Sequence, residues 1–204
     1  MTRKFDGDTL VVATHNKGKL EEMAHLLAPY GIKVVGAAEL NLPEPEETED
    51  TFVGNARIKA RSAVDAAGLP ALSDDSGITI DALAGAPGVY TADWAETENG
   101  RDFVQAMTRA NDELNAANAP HPRQAQFRCT LVLAWPDGHE EVFEGVAPGQ
   151  LIWPMQGEQG FGFDPIFVPD GYDITYAEMD RWEKNRISHR ADAVSKLLQG
   201  CFDR

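Results

Sequence analysis

Residues 10–35, LVVATHNKGKLEEMAHLLAPYGIKVV, restrict the fold more than any other stretch of the chain. Residues 10–13 form a short apolar run of the kind that makes a buried strand. THNKG follows, and then Leu20, Met23, Ala24 and Leu27 recur at helical spacing on one face. Pro29 and Gly31 end that helix, and residues 32–35 read as the next strand. Strand, loop, helix, strand is the grammar of an α/β protein.

The rest of the chain extends this reading. Residues 41–50, NLPEPEETED, are a proline-broken acidic loop, and Asp50 or Thr51 can cap a helix through Phe52, Ala56, Ala60, Ala63 and Ala67. LSDDSGITID then leads an apolar run into a strand-like one, with Asp74 and Asp75 expected at a strand end or in a DDSG turn. Residues 101–118 read as a helix. Residues 126–135 alternate, with Phe127, Cys129, Leu131 and Leu133 on one side. PDGHE turns the chain into a returning strand over 142–146, and a third strand is expected near 150–153. Thr175 with Glu178 forms a capping-box pattern before a short helix, and Ser188 can cap a last one. The expected fold class is α/β: a mixed sheet flanked by helices, carried by one domain over residues 1–204.

A formal charge of −15 and a pI near 4.6 argue against a general nucleic-acid coat or an anionic membrane surface. They do not oppose a small anionic substrate, because a pocket's local field can differ from the net charge. Cys129 and Cys201 are far apart and lack any CxxC spacing. No run reaches transmembrane length, and MTRKFDGD is not followed by a signal-peptide core, so a reduced cytoplasmic setting is expected.

Five groups can carry chemistry. Thr14, Asn16, Lys17 and Lys19 sit at a strand–helix junction, where free helix N–H groups and lysine charge attract phosphate, although no P-loop pattern is present. Asn55 and Lys59 are one helical turn apart, which fits a ligand or a merely solvated face. Lys184, Arg186, His189 and Arg190 surround the expected start of the last helix, where positive charge opposes the helix dipole unless an anion or acid compensates. In GFGFDP, glycines allow close backbone approach, and Phe161 or Phe163 can lie against a base or belong to the core. The pair Asp74 and Asp75, near lysines and a phosphate-friendly loop, fits Mg²⁺ bridging protein to polyphosphate.

In order and wording, THNKGK, DDSG, GFGFDPIF and EKNRISHR together resemble the inosine/xanthosine triphosphate pyrophosphatase family, and the likeness runs nearly the full length. That resemblance implies an elongated mixed sheet with two lobes around a central cleft, a homodimer, and Mg²⁺-dependent cleavage of ITP, dITP and XTP to monophosphate and pyrophosphate. It further implies a phosphate-gripping loop of Thr14, His15, Asn16, Lys17, Gly18 and Lys19, with Asn55 and Lys59 along the polyphosphate. Glu47, Asp74 and Asp75 become the expected metal set, with Asp75 also the proton acceptor and Ser76 touching substrate. Phe161, Gly162, Phe163 and Asp164 would form the base loop, completed by Lys184, His189 and Arg190. Ala92, Asp93 and Trp94, and Met155 with Gln156, depart from the family's usual text, which often has a basic residue in each segment.

Overall fold

The computed structural model describes residues 2–202, except the side chain of Glu22. In chain order its main elements are β1 (Thr9–Val12), α1 (Lys17–Leu27), β2 (Lys33–Gly36), α2 (Phe52–Ala67), β3 (Ala71–Ile80), β4 (Pro87–Gly88), β5 (Glu96–Thr97), β6 (Gly100–Arg101) and α3 (Phe103–Ala116). Then come β7 (Arg123–Ala134), β8 (Glu140–Leu151), β9 (Phe167–Pro169), α4 (Arg181–Ile187) and α5 (His189–Leu197). Among the described residues the main sheet runs β2-β1-β3-β7-β8-β9, with β4 paired to β3. β1 pairs in parallel with β2 and β3, whereas β3–β4 and β8–β9 are antiparallel, so the sheet is mixed.

The chain divides into two compact units. One comprises residues 1–75, 129–145 and 193–204; the other comprises 76–128 and 146–192. In the first, strand alternation sends successive side chains to opposite faces. Leu10, Val12 and Leu72 join Met23 and Leu27 of α1 in one core, while Val11 and Ala71 join Ala56, Ala60, Ala63 and Val64 of α2 in another. A strand covered on both faces has no polar side to show, which is why residues 10–13 read as a continuous apolar run. α2 begins with Thr51, whose side chain accepts the Gly54 N–H, and ends at Gly68 in a left-handed conformation (φ 67°) that a Cβ would strain.

The second unit has its own core. Ala106, Met107, Ala110 and Leu114 of α3 pack with Ile78, Ile80, Phe127, Phe163, Phe167 and Tyr176. Asp102 caps α3 by accepting the Val104 and Gln105 N–H groups. Trp94 lies beneath the Arg109 guanidinium, 3.9 Å from ring centroid to cation.

Four expectations are corrected. Residues 71–80 form one strand, so Asp74 and Asp75 lie mid-strand and neither at a strand end nor in a turn. The return strand β8 runs unbroken to Leu151, absorbing the expected third strand, and the next strand is β9. Thr175 and Glu178 do bond reciprocally, Thr175 N–H to Glu178 Oε2 at 2.8 Å, but no helix follows directly; α4 starts at Arg181 under Asp180. Lys184 and Arg186 occupy the last turn of α4, where the dipole favours them, and only His189 and Arg190 open α5. No helix among the described residues is long and apolar enough to cross a membrane.

Candidate active site

In the first unit, alternation along β3 separates the two aspartates. Asp74 follows Leu72 to the α1 side, and its Oδ2 accepts from Lys19 Nζ at 2.7 Å. Asp75 follows Ala71 and Ser73 to the α2 side, where Lys59 Nζ approaches its Oδ1 at 3.4 Å. The same Lys59 nitrogen donates to Glu47 Oε1 at 2.8 Å, tying the acidic loop to the strand. Ser73 Oγ donates to the Ala56 carbonyl at 2.6 Å and fixes α2 against β3 just before the pair.

Burial decides the electrostatics. The Asp75 carboxyl is pushed up to about 6 by desolvation, which outweighs Lys59; nearby Glu47 and Asp74 push it the same way. Lys59 is pulled down by burial, yet Asp75, Asp74 and Glu47 more than reverse that and leave it above its ordinary value. Asp75 Oδ2 is buried and, among the described residues, has no hydrogen-bond partner. A buried carboxylate oxygen without a donor is costly and is relieved by a proton or a cation.

Asn55 anchors the acidic loop. It is buried, and its Oδ1 accepts the Glu49 N–H at 2.9 Å, pinning the loop that carries Glu47. A Cβ at Gly54 would overlap Glu49, so the glycine lets that loop approach the helix closely. At the other junction, Asn16 caps α1 by accepting the Gly18 and Lys19 N–H groups, while Thr14 Oγ1 accepts the Asn16 N–H. Two of the helix-start donors expected to meet phosphate are thus already engaged. His15 leans on the acidic loop through Nε2, 3.1 Å from the Leu42 carbonyl, and Lys17 and Gly18 are exposed.

The second unit gathers the glycine loop and the basic residues. Asp164 is buried; its Oδ2 accepts the Phe161 N–H at 2.7 Å and also the Lys184 ammonium. Desolvation raises the Asp164 carboxyl, with Lys184 opposing. Gly160 sits at φ +75°, and a Cβ there would collide with Asp164 Oδ2, so only glycine closes this turn. The two phenylalanines part company: Phe163 is fully buried core, whereas Phe161 is 62% exposed with Lys184 Nζ 4.8 Å from its centroid. Gly162 lies between them at φ +68°. Ser188 Oγ accepts the Ala191 N–H and so starts α5, where His189 and Arg190 are both buried. Arg190 Nη2 donates to Ser76 Oγ at 3.5 Å, a long contact to the residue that follows Asp75 in the chain.

The donor set suits Mg²⁺. Asp75 and Glu47 offer hard oxygens to one lysine, and among the described residues Asp75 Oδ2 lacks a donor. Among the described residues no three His, Cys, Asp or Glu side chains converge as a self-sufficient metal cluster. Mg²⁺ needs none, because it is commonly held by one or two carboxylates with substrate phosphates completing the shell. Asp74 Oδ2 is paired with Lys19 Nζ.

Two residues of this region escaped sequence reasoning. Phe127 and Tyr176 stand beside His189 and Lys184, and the alternation of β7 marked Phe127 only as an inward side chain. Met155 and Gln156, which depart from the family's text, are held in place: Met155 packs on the second core, and the Gln156 N–H donates to the Pro165 carbonyl at 2.8 Å.

A mixed α/β sheet carrying buried carboxylates clamped by lysines, with a glycine loop and a basic helix start, defines a protein built to handle a polyanion. The particular family is shown by comparison: residues 10–200 match the Ham1 family model, and the chain belongs to that family. It is 80% identical over 202 residues to a dITP/XTP pyrophosphatase of Ruegeria pomeroyi, covering 99% of both chains. A dITP/XTP pyrophosphatase of Rhodospirillum centenum is 57% identical over 98% of both. Among solved structures, a HAM1 protein from Coxiella burnetii superposes with a TM-score of 0.88 at 39% identity, over 94% of this chain and 96% of that one.

Proposed function

We propose that this chain hydrolyses the non-canonical purine nucleoside triphosphates ITP, dITP and XTP to the monophosphate and pyrophosphate. The end-to-end likeness to proteins named dITP/XTP pyrophosphatase supports the substrate class. The observation that carries the chemistry is Asp75, a buried carboxylate with one oxygen against Lys59 and the other without a donor among the described residues. In this reading a single domain of two lobes around a central cleft works in the cytoplasm as a homodimer.

Water attack at the α-phosphorus needs neutralised phosphate oxygens, an oriented water and charge relief on the departing pyrophosphate. Lys59 and Lys19 supply positive charge, with Lys17 and the loop from Thr14 to Gly18 following the phosphates. Mg²⁺ held by Asp75 and Glu47 would supply further neutralisation and lower the pKa of the attacking water. Burial raises the Asp75 carboxyl to about 6 in the metal-free protein, and with Mg²⁺ bound Asp75 would orient the attacking water. On the base side Phe161 offers an exposed ring face, Asp164 holds Lys184, and His189 and Arg190 present donors to a C6 oxo group. Adenine carries an amine there, and leaving a buried donor unpaired costs about 1–3 kcal/mol.

Incubation of the purified protein with Mg²⁺ and, separately, ITP, dITP, XTP, dUTP, ATP and GTP tests this reading by chromatography of the products. ITP is expected to yield IMP and pyrophosphate faster than ATP yields its products. Orthophosphate with a diphosphate, or turnover confined to another base, contradicts it.

A further inference from the structure

His189 is not held by its helix alone. Its imidazole lies 5.0 Å from the Phe127 ring, centroid to centroid, with the planes only 14° apart. Phe127 in turn is wedged by two other aromatics: Phe167 meets it edge-on at 4.7 Å and 71°, and Tyr176 lies at 5.8 Å and 29°. Phe167 and Tyr176 also touch each other at 5.1 Å, so the three rings form a closed triangle. Phe167 and Tyr176 are fully buried, and Phe127 and His189 are nearly so. A ring stacked at this angle on a fixed partner cannot swing about its Cβ–Cγ bond without leaving the stack or displacing the partner. Each ring of the triangle is itself blocked from yielding by close packing.

Backbone anchoring completes the restraint. Ser188 Oγ caps α5 by accepting the Ala191 N–H, and the Ser188 carbonyl accepts the Asp192 N–H, which fixes the His189 main chain. The main chain sets where the imidazole starts, and Phe127 sets the plane in which its two nitrogens lie. A donor chosen to distinguish an oxo group from an amine needs that plane, because hydrogen-bond strength falls steeply with misalignment.

We infer that Phe127 is a positioning residue for purine selection: it fixes the orientation of His189, and through His189 alone it determines how strongly a 6-oxo purine is preferred over a 6-amino one. This rests on the reading above that His189 faces the base. A packing role would predict something different, namely a uniform loss for all nucleotides whether or not His189 is present.

A double-mutant cycle separates the two. The ratio of kcat/KM for ITP to that for ATP is measured in the wild type, Phe127→Leu, His189→Ala and the double variant. Phe127→Leu is expected to lower the ratio about 3–10-fold, the range of one aromatic contact. Phe127→Tyr, which keeps the stack, is expected to retain it. In the His189→Ala background, Phe127→Leu is expected to change the ratio no further. An equal loss for both nucleotides, or the same loss of ratio with and without His189, overturns the inference. Proton NMR of the substrate-free protein gives a second readout that survives a poorly folding leucine variant. The His189 ring protons, assigned by their disappearance in His189→Ala, are expected to be displaced upfield by the Phe127 ring current in the wild type and in Phe127→Tyr. Undisplaced protons mean that the stack is absent and overturn the inference while the pyrophosphatase reading stands. Displaced protons in a protein that leaves ITP intact locate the failure in the pyrophosphatase reading, and the selectivity role falls with it.

Discussion

Asp74 and Asp75 are consecutive in the chain yet are held by lysines on different helices, Lys19 of α1 and Lys59 of α2. One strand thereby places two carboxylates on two faces, each with its own counter-ion. Only Asp75 keeps a buried oxygen without a donor among the described residues, and it has Glu47 across the shared lysine. Asp74 is paired with Lys19, and Asp75 has a buried oxygen that a cation, a water or a proton would satisfy.

Asp75→Asn is expected to abolish turnover of ITP while raising the stability of the metal-free protein. The folded-state carboxyl stands near 6 against 3.8 for a free aspartate, so the unfolded chain loses this proton first. Above pH 6 the ionised Asp75 therefore subtracts from stability, by roughly 1–3 kcal/mol. The penalty shrinks as pH falls from 6 toward 3.8. Urea unfolding in chelator should show the variant more stable than wild type at pH 7.5, with the difference clearly smaller by pH 4.5 and closing below pH 3.8. A difference that widens on acidification contradicts the assignment.

Lys59→Met removes the counter-ion common to Asp75 and Glu47. It leaves Asp75 buried beside like charge, and breaking a buried pair costs about 3 kcal/mol or more. Denaturant unfolding at pH 7.5 is expected to show that loss. The loss should diminish in the Lys59→Met, Asp75→Asn double variant, where the uncompensated charge is gone.

Asn55→Ala deletes the acceptor for the Glu49 N–H and frees the loop that carries Glu47. Amide exchange at Glu49 is expected to accelerate strongly while exchange in the middle of α2 stays slow, with a stability loss of about 1–2 kcal/mol. Unchanged exchange at Glu49 would remove Asn55 from this anchoring role.

Much of this arrangement was readable in advance where side-chain periodicity is strong. The β1–α1–β2 opening and α2 followed from apolar spacing and from a cap at Asp50 or Thr51, and the hairpin of β7 and β8 followed from alternation around PDGHE. The strand through DDSG was not readable, because aspartate, serine and glycine have poor strand propensity and only the lysines of two helices make their burial tolerable. The phenylalanines of GFGFDP could not be told apart locally. Gly160 and Gly162 both take positive φ, and that bend turns Phe161 outward and Phe163 into the core. The anchoring contact of Asn55 was not readable, because the loop that folds onto it lies earlier in the chain. Nothing local revealed that Phe127 stacks on His189, a contact that arises only when β7 and α5 are packed.

Gly160→Ala tests the turn beneath the base loop. The left-handed φ and the collision with Asp164 Oδ2 together predict a loss of at least about 2 kcal/mol. The damage should reach KM for ITP before kcat, because the Phe161 N–H and Lys184 both depend on that carboxylate. A variant with wild-type stability and KM would show that the turn tolerates a side chain.

The central claim is water attack at the α-phosphorus of a 6-oxo purine triphosphate, organised by Asp75. Hydrolysis of ITP with Mg²⁺ in water enriched in heavy oxygen, followed by mass spectrometry of both products, tests it most directly. The account predicts one heavy oxygen in the phosphate of IMP and none in pyrophosphate, with no turnover by Asp75→Asn. Heavy oxygen in pyrophosphate or orthophosphate, or near-normal turnover by folded Asp75→Asn, would contradict it.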